Sequence, residues 1–383
     1  MIWRSLTVKS RRLLPCLSIL FSALPLQADE ASGRAASSGP PMGVYRGANQ
    51  SPKVDAFAAW IGRPDLWGED FIGWESWSNV AWPTWWLDHW SKWVHARPGR
   101  RLVLSVPLLA GPVDGSGPTK GDSGVGEPVS LEKGAAGKYN PYYKQLALNL
   151  VSRRLGNTVI RLGWEFNGDW YPWRAKGKEN ALAAYWRQIV GTMRAVPGAE
   201  HLSFCWNPTL GDQQFPAEAA WPGDAFVDQI GVDVYDESWR AGTYPWPAGT
   251  DAAGIANRQN EVWTKEIYGG PHGLAFWSRF ARQHGKPLAV CEWAVKNRPN
   301  GHGGMDDPNF VEQMHRFLTD PANRVAFHCY FEFDCEPPDG LHQISPGERG
   351  TYRTGFPRAS AKFKELFGSG VGRGSRTTTT ARK

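Results

Sequence analysis

Between residues 42 and 367 the chain alternates short runs of apolar and β-branched residues with longer stretches whose apolar positions recur at helical spacing. The short runs predict strands at 43–46, 67–72, 101–106, 158–164, 201–206, 229–234, 287–292 and 324–331. The longer stretches predict helices at 54–61, 84–95, 142–154, 180–195, 274–284, 309–318 and 359–366. Eight strand-helix alternations without a break favour a single (β/α)₈ TIM barrel over a two-domain, doubly wound chain. No repeat of fixed period interrupts them. Two long segments, 111–138 and 236–270, follow predicted strands and precede predicted helices, so in such a barrel both lie on the C-terminal face, where function concentrates.

The two ends read differently. Arg4, Lys9, Arg11 and Arg12 precede an apolar run from Leu13 to Leu26, which has the shape of an export signal and is too short to span a bilayer comfortably. Residues 1–28 are therefore expected to be removed on export to a periplasm or the extracellular space, leaving no stable membrane insertion. Residues 29–41 form a small, polar leader, and 368–383 a basic tail of low complexity with nothing to bury. The formal charge of +6 shifts accordingly: the signal and the tail carry +4 each, leaving the body at −2. A mildly acidic body argues against nucleic acid as a partner. A monomer is expected. Cys205, Cys291, Cys329 and Cys335 outlast the signal and are free to pair after export, in a connectivity that spacing does not give. The scattered histidines and the lack of a CxxC pair argue against a structural metal site.

The chemistry concentrates in residues 161–173, RLGWEFNGDWYPW. A carboxylate among indole rings is costly to ionise, so Glu165 is either half of a buried ion pair with Arg161 or a functional group. Alternation along the fourth strand puts Val159, Arg161, Gly163 and Glu165 on one face, with Glu165 at the C-terminal end. The seventh strand, PLAVCE, likewise ends in a lone carboxylate, Glu292. Two carboxylates at the C-terminal ends of barrel strands are what glycoside hydrolysis requires: one to attack, one to hold a proton for the leaving oxygen. Cys291, next to Glu292, should point toward the helices. Trp86, Trp90 and Trp93 fall on one face of a predicted helix and read as core, whereas Trp170, Trp173 and Trp206 follow or end strands, where a ring can face a cleft and stack on a pyranose. Asn207, Asp233 and Asp236 are candidates for substrate contact or for a core hydrogen-bond network. Glu332 and Asp334 follow Tyr330 with a period of two and either line the site or mark the strand's exit from the core.

Four segments, 161–173, SFCWNP (203–208), IGVDVYD (230–236) and PLAVCE (287–292), together resemble glycoside hydrolase family 26, the β-mannanase-like retaining enzymes among the (β/α)₈ glycosidases. The resemblance implies that Glu165 is the acid/base, Glu292 the nucleophile, Arg161 a support beneath the carboxylates and Tyr235 the hydroxyl that orients the nucleophile. It implies sugar platforms at Trp170 and Trp173; Trp164, Asn167, Trp206, Asn207, Asp233 and Asp236 are the further candidates for substrate contact in the same cleft. One position departs from the family pattern: Trp164 stands before the acid/base, where histidine is usual. The activity implied is endo-acting hydrolysis of a β-1,4-mannan or β-glucan with retention, no cofactor or metal, and carboxyl groups about 5–5.5 Å apart. An exo-acting glycosidase on a bacterial exopolysaccharide and a noncatalytic carbohydrate-binding barrel are the alternatives.

Overall fold

A computed structural model describes residues 39–111, 128–335, 339–346 and 355–369. The expectations for residues 1–28, for most of the leader and for the tail beyond Ser369 lie outside the described residues. No helix among the described residues is long and apolar enough to cross a membrane.

All eight strands form, close to their expected bounds: β1 (Met42–Tyr45), β2 (Trp67–Phe71), β3 (Leu102–Val106), β4 (Val159–Leu162), β5 (Ser203–Trp206), β6 (Gln229–Tyr235), β7 (Leu288–Ala294) and β8 (Val325–Phe331). Each pairs in parallel with the next, and β8 pairs with β1, closing the barrel. The fold is a (β/α)₈ TIM barrel. The strands are buried almost throughout because helices cover their outer faces, which is why they read as continuous apolar runs.

The helices are α1 (Ser51–Ile61), α2 (Trp77–Ala81), α3 (Thr84–His95), α4 (Leu131–Ala135), α5 (Asn140–Ser152), α6 (Glu179–Arg194), α7 (Ala252–Val262), α8 (Leu274–Gln283), α9 (Pro308–Thr319) and α10 (Pro357–Phe367). Their ends follow local chemistry: Asp307 accepts from the Asn309 and Phe310 backbone N–H groups to start α9, and Gly62 closes α1 in the left-handed conformation. Two segments expected as loops contain helices. Residues 111–138 include α4, and residues 236–270 include α7 with a single π-helical stretch, Trp263–Tyr268, behind it.

The core has two tiers. Trp90, Trp186, Trp277 and Trp293 fill the layer between helices and barrel, and Trp86, Trp90 and Trp93 are all core residues of α3, as their spacing suggested. A smaller cluster inside the barrel joins Val103, Val159, Cys205, Ala289, Cys291, Phe327 and Cys329. Cys205, Cys291, Cys329 and Cys335 are free thiols, with the Cys205 and Cys291 sulfurs 3.4 Å apart.

Membership of Cys291 in the interior cluster corrects the expected alternation. The register between β6 and β7 slips, so that Val232 pairs with Val290 but Asp233 pairs with Glu292. Cys291 is the extra residue. With one residue more on β7 than on β6, both Cys291 and Glu292 turn inward, and the outward place passes to Trp293.

Candidate active site

Above the apolar tier the barrel interior becomes polar, and Arg161 on β4 is its centre. The guanidinium is fully buried. Its Nε donates to Asn207 Oδ1 at 2.7 Å, Nη1 to Ser105 Oγ at 3.1 Å and to Glu69 Oε1 at 3.4 Å, and Nη2 to Asp233 Oδ2. Nη1 also lies 2.5 Å from Glu292 Oε1. Burial alone would make this guanidinium easier to deprotonate; the opposing charges of Asp233, Glu292 and Glu69 outweigh it and hold the proton more firmly than usual.

One cation cannot neutralise every acid around it. Burial raises the Asp233 and Glu69 carboxyls well above the usual range, against the pull of Arg161. Asp233 makes the closer contact with the guanidinium and Glu69 the more distant one.

Glu292 sits over this cluster, almost wholly buried. Besides Arg161 it meets Tyr235 at the end of β6, whose hydroxyl donates to Oε2. Both contacts suit an ionised carboxylate.

Glu165 reaches the same mouth by a different route from the expected alternation. β4 ends at Leu162, and the chain then passes through two left-handed residues, Gly163 (φ +54°) and Glu165 (φ +53°). Gly163 has no room for a side chain, since a Cβ would lie 2.2 Å from Leu108 Cδ1. A left-handed glutamate is strained, and the turn is pinned by its N–H donating to the Asn207 carbonyl at 2.8 Å and by the Gly168 N–H donating to its own carbonyl at 3.0 Å. The half-buried side chain accepts from Trp170 Nε1 at 2.8 Å. Burial, and then the negative charge of Glu292, push its carboxyl up to about 7, against Arg161 and the donors Trp170 and Thr209.

The remaining expected site residues divide. Trp170 stands at the rim, 50% exposed, with a face open to solvent. Trp164, Trp173 and Trp206 are fully buried, which corrects the expectation that they contact sugar. Trp164 packs edge-on against Phe71, Tyr171 and Trp173 and covers the Arg161 guanidinium at 5.7 Å. Trp173 donates Nε1 to the Trp164 carbonyl, and Trp206 packs against Trp221, Trp277 and Phe280. Asn167 is buried too: it exchanges hydrogen bonds with the Thr209 backbone and ties the loops after β4 and β5 together. Asn207 and Asp233 belong to the network around Arg161.

Asp236 lies apart, hydrogen-bonded by the Tyr244 hydroxyl at 3.0 Å and next to Asp307; burial and that neighbour raise its carboxyl well above the usual range. Glu332 is an internal brace, paired with Arg46 and accepting from the Ile344 and Ser345 N–H groups. Asp334 accepts from the His342 and Gln343 N–H groups.

Three residues that sequence reasoning passed over belong to the mouth. Glu69, in WGEDF on β2, shares Arg161 with Glu292; its only sequence signal is a carboxylate inside an otherwise strand-like run. Trp74, 38% exposed, stands edge-on against Trp164, Tyr171 and Trp173. Thr209 holds Asn167 through its backbone and bears on the Glu165 carboxyl. Among the described residues no group of three or more His, Cys, Asp or Glu is arranged to hold a metal ion.

Two carboxyls of unlike surroundings thus meet at the C-terminal mouth of a closed barrel, and the comparison with known families falls in the same region. Residues 144–245 match glycosyl hydrolase family 26. The match contains Arg161, Glu165 and Tyr235 and stops short of Glu292. Solved family 26 structures share the fold. The catalytic domain of the endo-β-1,4-mannanase of Bacillus sp. JAMB-750 is 17% identical with a TM-score of 0.54, over 86% of this chain and 85% of that one. The Cellulomonas fimi endo-β-1,4-mannanase, as a double mutant, is 18% identical with a TM-score of 0.53, over 86% and 70%. The family 26 β-mannanase of Bacteroides ovatus is 15% identical with a TM-score of 0.52, over 86% and 88%. No curated protein matches the sequence.

Proposed function

We propose that the chain is a retaining glycoside hydrolase, endo-acting on a β-linked polysaccharide of the β-1,4-mannan or β-glucan type. The observation that carries this reading is the contrast between Glu165 and Glu292 at one barrel mouth. Glu165, pushed up to about 7, is suited to hold a proton near neutral pH, while Glu292 accepts from Arg161 and Tyr235 as a nucleophilic carboxylate would.

In the first step a Glu292 oxygen bonds to the anomeric carbon as the glycosidic C–O bond breaks, and Glu165 passes its proton to the departing oxygen. In the second, Glu165 takes a proton from water, the water oxygen attacks the same carbon, and Glu292 leaves. Arg161 would stabilise Glu292 as the carboxylate it is at both ends of the cycle. The two inversions restore the starting configuration.

The family match supports a polysaccharide substrate, and the mannanase activity named for the similar structures supports the mannan end of the range. Exposed indoles at Trp170 and Trp74 suit a mouth that grips sugar rings along a chain. The same reading includes export, on the strength of the apolar run 13–26, and a monomeric protein without a cofactor.

Proton NMR during hydrolysis of mannan, mixed-linkage β-glucan and their oligosaccharides tests the mechanism. The β-anomer of the new reducing end is expected first, before mutarotation. First appearance of the α-anomer would overturn double displacement, and failure to release sugar from every β-glycan would overturn the hydrolase reading.

A further inference from the structure

The loop after β6 carries an aromatic side chain that neither the fold nor the catalytic contacts use. Trp239 is 61% exposed, yet it is not loose. Its ring stacks on His302, with centroids 4.0 Å apart and planes 20° from parallel, and the Arg298 guanidinium lies 5.2 Å from its centroid. The support is itself fixed. His302 Nδ1 donates to the Ser238 carbonyl at 2.7 Å, the Ser238 N–H donates to the His302 carbonyl at 3.0 Å, and Glu237 bridges Gly303.

This platform is joined to the catalytic centre by an unbroken series of contacts. Tyr235 donates to Glu292; the Lys296 ammonium sits 4.5 Å from the Tyr235 ring centroid; Lys296 pairs with Glu237 at 2.9 Å; and Glu237 pairs with Arg298 at 3.1 Å. Trp170 stands next to Glu165, whereas Trp239 is reached from Glu292. The two exposed indoles are thus tied to different members of the carboxyl pair.

We propose that Trp239 is a sugar-binding platform on the Glu292 side of the cleft, stacking on a pyranose ring of the bound glycan away from the bond being cut. The inference rests on the glycan-hydrolase reading above. With His302 stacked on the ring and the Arg298 guanidinium over it at 5.2 Å, Trp239 is still 61% exposed to a passing sugar ring. A pyranose pairs a face of C–H groups with a rim of hydroxyls, and Trp239 offers an apolar face bordered by the polar groups of Glu237, Arg298 and His302. Holding the ring in place before binding reduces the ordering cost of capturing a flexible chain. Platforms on both sides of the scission point make the site a groove for the interior of a chain, so affinity should grow with chain length.

The test is calorimetric titration of β-1,4-mannohexaose and cellohexaose into the full chain carrying Glu292→Gln, which prevents turnover, with Trp239→Ala, Trp239→Phe or Trp85→Ala added. Trp85, 65% exposed on α3, is the control for loss of a surface indole. Trp239→Ala is expected to weaken the hexasaccharide that binds by about tenfold, Trp239→Phe by less, and Trp85→Ala by less than twofold. If the hexasaccharide binds and Trp239→Ala binds it equally well, the platform is overturned while the hydrolase reading stands. Equal weakening by Trp85→Ala would overturn it too, as a nonspecific effect. If neither hexasaccharide binds the Glu292→Gln chain, the glycan reading on which the platform rests fails first.

Discussion

Glu165 leaves β4 on a left-handed turn and meets a half-exposed indole donor, Trp170, whereas Glu292 is turned inward by an extra residue in β7 and meets the Arg161 guanidinium and the Tyr235 hydroxyl. The side chain is the same in both places, and the surroundings differ in the respect that matters for proton chemistry. Around Glu165 burial dominates, and the neutral acid is favoured up to about 7. Around Glu292 the contacts are donors. On the proposed mechanism, acid/base and nucleophile would be told apart by what each strand end brings to its carboxyl.

The largest effect should come from removing the donor-held carboxyl. Glu292→Ala is expected to lower kcat by about 10,000-fold or more, because no covalent intermediate can form. Added azide, small enough to occupy the vacated space, should restore turnover and yield the α-glycosyl azide from a β-glycoside. Activity within tenfold of wild type would remove Glu292 from the nucleophile's role and leave the comparison without its second member.

Next comes the buried acid. Glu165→Gln should lower kcat about 100- to 1,000-fold on substrates with sugar leaving groups, since no proton is supplied to the departing oxygen. Glu165 must be protonated to act, so wild-type kcat is expected to be full below about 7 and to fall as pH rises through it. That limb should vanish in Glu165→Gln, whose amide does not titrate in this range. Its persistence would assign the limb to another group and undo the contrast drawn above.

The sequence made parts of this arrangement legible for physical reasons. Parallel strands buried on both faces must be apolar throughout, so the eight runs stood out, and α3 showed its tryptophans at helical spacing. Helix α7 did not show, because it buries only Gln259 and Val262 and so has no apolar stripe. Glu165 and Glu292 were recognisable as lone carboxylates at strand ends, but their presentation was not: alternation anticipates neither the turn at Gly163 nor the bulge at Cys291. Trp173 and Trp206 misled because an indole's place in the sequence does not say which of its sides is covered. The pairing of Arg161 with Glu69, 92 residues away, follows from barrel closure and leaves no local signature.

The smallest and most specific change separates the contribution of a single donor to Glu165. Trp170→Phe keeps an aromatic ring at the rim and removes the N–H that donates to Oε2 at 2.8 Å. A hydrogen bond to the carboxylate favours the ionised form, so Trp170 holds the Glu165 carboxyl lower than burial alone would leave it. Without the donor, Glu165 should keep its proton to higher pH, and the basic limb of the kcat profile should move upward by about half a unit to one unit. The shift is modest because Thr209 and Arg161 still oppose burial. At pH 6, where Glu165 is largely protonated in both proteins, kcat should differ by less than about threefold, so pH dependence isolates the donor from any loss of stacking. A limb that stays in place or moves downward would mean that Trp170 serves the cleft through its ring alone, and that burial and charge set Glu165 apart from Glu292 without help from the rim.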